Sequence, residues 1–134
     1  MSEPVDSDIV LCDEILLRAI LKKRHFSGGQ VDAYAFILRP QDEGKLSTWR
    51  RRFVTVAACK GAYKTCCGVV TLHTGRVRCA GDEKGLRVDV VADSLPSDPL
   101  PGHASVLNLP DPNTDPFLAE FVATKLRDQC RPTS

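Results

Sequence analysis

The apolar positions of this chain follow two periods, a helical one of about 3.6 residues and a strand period of about two, and the elements can be read from where each holds. Residues 9–21 are mostly apolar. Ile15, Leu16, Leu17, Ile20 and Leu21 share one face of a helix, although the alternation of Ile15, Leu17, Ala19 and Leu21 also suits a strand. A helix is the expectation. Lys22, Lys23, Arg24 and His25 end it with the positive charge that a helix C-terminus favours, and Ser27-Gly28-Gly29 breaks it. Residues 31–39 carry β-formers and read as a strand stopped by Pro40 and the polar loop 41–44. Ser47 is placed as the N-cap of a helix of about three turns, because Trp49, Phe53, Val56 and Ala57 make one apolar stripe. A strand over 53–59 is the alternative.

Beyond Lys60-Gly61, residues 69–73 and 76–79 flank Thr74-Gly75 and read as a β-hairpin. Gly81 to Gly85 is a turn, and residues 86–91 alternate cleanly as a strand. Three prolines make 94–102 an irregular crossing loop, after which 103–109 is a further strand. The last element is a helix capped by Thr114 or Asp115, with Pro116 in its first turn and Leu118, Phe121, Val122 and Leu126 on one face. Strands outnumber helices. The fold class is therefore α+β: a single domain over 9–134, with a mixed or antiparallel sheet of about five strands, a C-terminal helix and one or two further helices. Residues 1–8 are read as a mobile acidic tail.

The length of 134 residues suits one domain, and 43% apolar residues can build a core without disulfide staples. No apolar run is long enough to span a bilayer, and the acidic start lacks the pattern of a signal peptide, so a cytoplasmic protein with reduced thiols is expected, off the membrane. The net charge of +1 conceals an uneven layout. Residues 44–78 hold Lys45, Arg50, Arg51, Arg52, Lys60, Lys64, Arg76 and Arg78 and no acid. Aromatic residues are interleaved with them: Trp49 and Phe53 beside the three arginines, and Tyr63 between Lys60 and Lys64. Guanidinium groups grip phosphates and aromatic faces stack on bases, so this tract points to nucleic acid or another polyanionic partner. An acidic protein is the other partner considered.

The chain has no G-x-S-x-G, H-E-x-x-H, P-loop or G-x-G-x-x-G motif. Its six cysteines, Cys12, Cys59, Cys66, Cys67, Cys79 and Cys130, lack zinc-site spacing, and no metal or cofactor is expected. Of the three histidines, His103 is the candidate for chemistry, because it follows Pro101-Gly102 at the start of a strand, where a side chain is rigid yet accessible. Leu17-Arg18 followed by Ser47-Thr48 resembles, in thinned form, the order of ADP-ribosyltransferase-like domains, which place an arginine on an early strand and a Ser-Thr pair on a later one. No Glu-x-Glu follows, which departs from that pattern. Besides an adaptor that binds an acidic protein through the basic face, two functions are thus expected. The first is a binding protein that engages a polyanion through Arg50, Arg51, Arg52, Lys60, Lys64, Arg76 and Arg78. The alternative is a small toxin-like enzyme, a ribonuclease or an ADP-ribosyltransferase-like transferase, with His103, Arg18 and Ser47 as its catalytic residues.

Overall fold

The computed structural model describes residues 9–133; the proposed tail at 1–8 lies outside the described residues. In chain order, β1 (Ile15–Ile20) is followed by β2 (Phe26–Ser27), β3 (Gln30–Val31), β4 (Leu46–Arg50), α1 (Val56–Gly61), β5 (Gly68–His73), α2 (Thr74–Arg78), β6 (Asp89–Ala92), β7 (His103–Leu107), α3 (Pro116–Gln129) and β8 (Arg131–Pro132). Six of the strands form one antiparallel sheet in the order β6-β7-β4-β1-β5-β8, while β2 and β3 pair alone. The α+β class holds, with one strand more than expected.

The sheet is covered on both faces. A larger cluster, which includes Leu16, Ile20, Leu46, Val90, Val106 and the α3 residues Val122 and Leu126, fills one side. A smaller cluster of Leu17, Trp49, Val54, Cys59 and Val69 fills the other. This double burial explains the first departure from expectation. Residues 15–20 are a strand, not a helix, because β1 lies between β4 and β5 and presents Leu16 and Ile20 to one core and Leu17 to the other. A strand buried on both faces reads as a continuous apolar run, which imitates a helical stripe.

Ser47 is likewise not a helix cap. It lies within β4, an inner strand where Leu46, Thr48, Trp49 and Arg50 are all buried and the Thr48 hydroxyl donates to the Ala104 carbonyl at 2.8 Å. The helix begins later, at α1, whose cap Thr55 accepts from the Ala58 N–H at 3.0 Å, so the strand over 53–59 is absent too. The strand expected over 31–39 gives way to a 3-10 turn at Ala33–Phe36, since the Asp32 side chain caps it by accepting the Tyr34 N–H at 2.9 Å. No hairpin forms at Thr74-Gly75. Their N–H groups bond instead to the carbonyls of Glu14 (3.0 Å) and Cys12 (2.9 Å), which turns the chain into α2 and buries Val77.

The C-terminal helix is as expected, with Asp115 accepting from the Leu118 N–H at 3.0 Å and Pro116 in the first turn. Its buried face is Ala119, Val122, Ala123 and Leu126, whereas Phe121 is half-buried beneath the ammonium groups of Lys84 and Lys125, 4.9 and 5.4 Å from its ring centre. Among the described residues no helix is long and apolar enough to cross a membrane.

Among the described residues, a charged pair lies inside this fold. Arg50, fully buried in β4, donates from Nε to Glu14 Oε1 at 2.8 Å and from Nη2 to Oε2 at 2.6 Å. Burial pushes the Glu14 carboxyl pKa up, but hydrogen bonds from Arg50 and the Leu11 N–H, with the charges of Arg50 and Arg52, outweigh it and leave the carboxyl below its ordinary 4.5. A carboxyl lowered by folding adds stability that is present above the unfolded value and is lost as pH falls through the folded one. Glu14→Gln should therefore cost about 3–5 kcal/mol near neutral pH, because it strands the Arg50 charge in the core. The gap to the parent should narrow as pH is lowered below 4.5, the ordinary value for this carboxyl. Chemical denaturation across pH measures both, and a gap independent of pH would contradict the assignment.

Candidate functional site

Three adjacent strands bring polar side chains together on the sheet face opposite α3. In the register of β4 with β7, Ser47 pairs with Ser105 and Trp49 with His103; in that of β6 with β7, Val91 pairs with Ser105. Ser47 and His103 are thus diagonal neighbours on one face, a spacing within side-chain reach. The chain leaves β6 at Ala92, and Asp93 remains alongside β7 through its N–H, which donates to the His103 carbonyl at 3.2 Å. The start of β7 is held by Gly102, whose carbonyl accepts the Arg50 N–H at 2.8 Å. Only glycine serves there. Its φ is +77°, and a Cβ would lie 2.7 Å from the Cβ of Phe53.

The result is a continuous chain of hydrogen bonds. His103 Nε2 lies 3.1 Å from Ser47 Oγ, His103 Nδ1 lies 2.6 Å from Asp93 Oδ1, and the Ser105 hydroxyl donates to Asp93 Oδ2. A carboxylate can only accept, so Nδ1 carries the proton, and in the neutral imidazole the Nε2 lone pair is directed at the Ser47 hydroxyl. The imidazole is also braced from the side. The edge of Trp49 meets it at 4.8 Å between ring centres and 75° between planes, and Trp49 Nε1 donates to Tyr63 Oη at 3.1 Å. Burial is the chief influence on the Tyr63 hydroxyl, and its pKa is raised. Ser47 is exposed while His103 and Asp93 are partly covered. This is the constellation in which a base removes the proton of a hydroxyl nucleophile while a carboxylate orients the base.

Arg18 comes from β1 on the face of Leu16 and Ile20, the α3 side of the sheet, and meets Ser47 through its backbone carbonyl. Pairing between β1 and β4 covers only Leu16 with Arg50 and Leu17 with Trp49, while β1 continues along β5 and β4 along β7. The two strands therefore part at Arg18. A cleft of about 210 Å³ lies in the gap, with Arg18, Ser47, Trp49, Tyr34, Arg39 and Tyr63 among its lining. Arg18 donates from Nη1 to the Ser47 carbonyl at 2.8 Å and from Nε and Nη2 to the Ala35 carbonyl at 3.1 and 2.8 Å. Burial pulls its guanidinium pKa down to about 10, so it remains a cation at neutral pH.

Of the three residues expected from sequence to be catalytic, Ser47 touches both others, His103 through its hydroxyl and Arg18 through its backbone carbonyl. Asp93 was not foreseen, although the alternation through Asp89 and Val91, carried one step further, would have put it on the same face. The basic tract fares differently. Arg50 is corrected from an anion contact to a core residue paired with Glu14. Arg78 is engaged by Asp89 at 3.1 Å and by the carbonyls of Val10 and Val90 at 2.6 and 2.9 Å. Arg51, Arg52, Lys60, Lys64 and Arg76 are exposed, with Arg52 3.9 Å from Glu14. His73 ends β5 at the surface, rather than a hairpin turn. The six cysteines are free, and burial raises the Cys59 thiol pKa to about 11. Among the described residues no three His, Cys, Asp or Glu side chains gather as a metal site.

Compared with protein-family models, curated proteins and solved structures, the chain matches none.

The geometry makes the histidine tautomer a measurable property. Nitrogen-15 spectra of the parent at neutral pH should show His103 protonated at Nδ1, and Asp93→Asn should shift the population toward the Nε2–H form, since an amide can donate to Nδ1. An unchanged tautomer in the variant would mean that Asp93 does not set it.

Proposed function

We propose that this protein is an enzyme, a hydrolase or transferase in which Ser47 is the nucleophile, His103 the general base and Asp93 the positioning carboxylate. The observation that carries the reading is the unbroken Ser47, His103 and Asp93 chain at 3.1 and 2.6 Å, of which Ser47 also lines the cleft beside Arg18.

In the first half of the reaction Ser47 Oγ forms a bond to an electrophilic carbon or phosphorus of the substrate, and its proton passes to His103 Nε2. The imidazolium so formed is stabilised by the Asp93 carboxylate on Nδ1. The bond to the leaving group then breaks, and His103 returns the proton to that group as it departs. In the second half a water or acceptor hydroxyl loses its proton to His103 and displaces Ser47 Oγ, which takes the proton back. Arg18, one carbonyl away from the nucleophile, offers fixed positive charge to the developing anion. The chemistry differs from that implied by the ADP-ribosyltransferase-like order, in which Arg18 and Ser47 would serve a transferase with a phosphate-bearing cosubstrate, but it uses the same two residues.

The polyanion-binding reading keeps its exposed cations, yet the loss of Arg50 and Arg78 to internal contacts removes two of the seven contacts it drew on. Turnover of p-nitrophenyl acetate and bis(p-nitrophenyl) phosphate separates the readings. At least one should be hydrolysed by the parent, and Ser47→Ala and His103→Ala should each lower the rate by about a hundredfold or more, with Asp93→Asn also impaired. Rates within tenfold of the parent in Ser47→Ala, or no turnover of either compound, would overturn the proposal.

A further inference from the structure

Arg18 is a cation whose hydrogen bonds go only to neutral carbonyls, those of Ala35 and Ser47. Among the described residues no carboxylate is bonded to it. Asp42, elsewhere in the cleft lining, acts on it through its charge, the Phe36 ring lies 6.0 Å from its guanidinium carbon, and its open side is the cleft, where an anion could make the charged hydrogen bond it lacks. The cleft does not end there. A second, shallower groove of about 480 Å³ shares Lys22, His25, Tyr34, Ile37 and Arg39 with it and adds Arg24 and Asp32. Cations outnumber acids along the whole path. Arg18, Lys22, Arg24 and Arg39 face Asp32 and Asp42, and Asp42 is already taken by Arg39 at 3.2 Å.

His25 reports the same potential. Burial is the largest influence on it and lowers its pKa; Arg24, Lys22 and Arg39 lower it further, and only Asp32 opposes them. The groove also carries an aromatic surface that the fold does not use. Tyr34 is 59% exposed on a 3-10 turn that Asp32 caps through the Tyr34 N–H. A large aromatic residue held rigidly at the rim of a cationic groove is suited to stack on a flat ring while the cations hold phosphate. The two volumes together suit a small ligand of some hundreds of cubic ångströms, not a polymer.

We propose that the joined cleft and groove bind a nucleotide, with its phosphates on Arg18, Lys22, Arg24 and Arg39, its base against Tyr34 and its reacting centre turned to Ser47. This rests on the Ser47 reading for the direction of the reacting end, but the binding itself does not need turnover. The recognition surface precedes residue 44, outside the tract that the charge count singled out.

Isothermal titration with ADP, inorganic pyrophosphate and adenosine tests the proposal on the full chain. ADP should bind, pyrophosphate more weakly, and adenosine at least tenfold more weakly than ADP. Affinity for ADP should fall as salt is raised. Lys22 and Arg24 lie at the surface, so Lys22→Glu with Arg24→Glu should leave the fold intact and weaken ADP binding by about tenfold or more. The same double reversal at Arg51 and Arg52 should change it less than threefold, and Tyr34→Ala should bring ADP down toward pyrophosphate. The imidazole signal of His25 should titrate at higher pH with ADP bound, because the added anion offsets Arg24, Lys22 and Arg39. The proposal is overturned by no ADP binding, by adenosine binding as well as ADP, by equal losses from the two double reversals, or by a single-stranded decanucleotide binding more than tenfold tighter than ADP. If ADP fails to bind while the p-nitrophenyl compounds are hydrolysed through Ser47, the nucleotide assignment alone falls. If ADP binds and those compounds are inert, the nucleophile assignment alone falls.

Discussion

The buried pair of Arg50 and Glu14 is the contact on which the arrangement of the sheet depends. Arg50 stands at the end of β4; its side chain is bonded twice to Glu14, just before β1, and its backbone N–H to Gly102, just before β7. One residue thus ties the starts of both neighbouring strands to the strand between them. A buried ion pair adds little net stability, because desolvating two charges offsets their attraction, but it penalises every register that would separate them. A slip of one residue along β4 would bury Ser47 and expose Leu46, and would pull Arg50 away from Glu14.

Register is also what assembles the site. Ser47, His103 and Asp93 come from three parts of the chain that meet only because β6, β7 and β4 are consecutive in the sheet. The side chains of Asp93 and His103 each have a second contact that limits their motion, Ser105 on Asp93 and Trp49 on His103, while Arg18 holds the backbone of Ser47 through its carbonyl. Such support is what a nucleophile and its base require if they are to stay within hydrogen-bonding reach. The parting of β1 from β4 then gives the serine a cleft to face, lined by cations from the segment that follows β1.

Much of this was legible in the sequence, and the failures share a cause. The C-terminal helix, capped by Asp115, and the strand β7 follow from local patterns, whereas the strand expected over 86–91 begins only at Asp89 and runs to Ala92, so that Val88 is buried ahead of it. β1 imitates a helix because an inner strand buries both faces and periodicity cannot then tell helix from strand, and the stripe of Trp49, Phe53, Val56 and Ala57 runs from β4 across a turn into α1. The hairpin at Thr74-Gly75 failed because its N–H groups are satisfied by Cys12 and Glu14, some sixty residues earlier in the chain, which no local rule can see. Arg18, Ser47 and His103 stood out as residues, but their proximity was a matter of topology. The charge count along the chain pointed to Arg50 as an anion contact, when its burial against Glu14 makes it structural; Lys22 and Arg24, read as the end of a helix, line the groove instead.

Covalent labelling shows whether Ser47 is a nucleophile activated by His103. Intact protein treated with a fluorophosphonate, which reacts with serine hydroxyls whose proton is removed by a neighbouring base, is read by mass spectrometry and peptide mapping. A single adduct on Ser47 is expected, formed at least about a hundredfold more slowly in His103→Ala. An adduct elsewhere, no adduct, or labelling of Ser47 at the same rate in His103→Ala would contradict that activation.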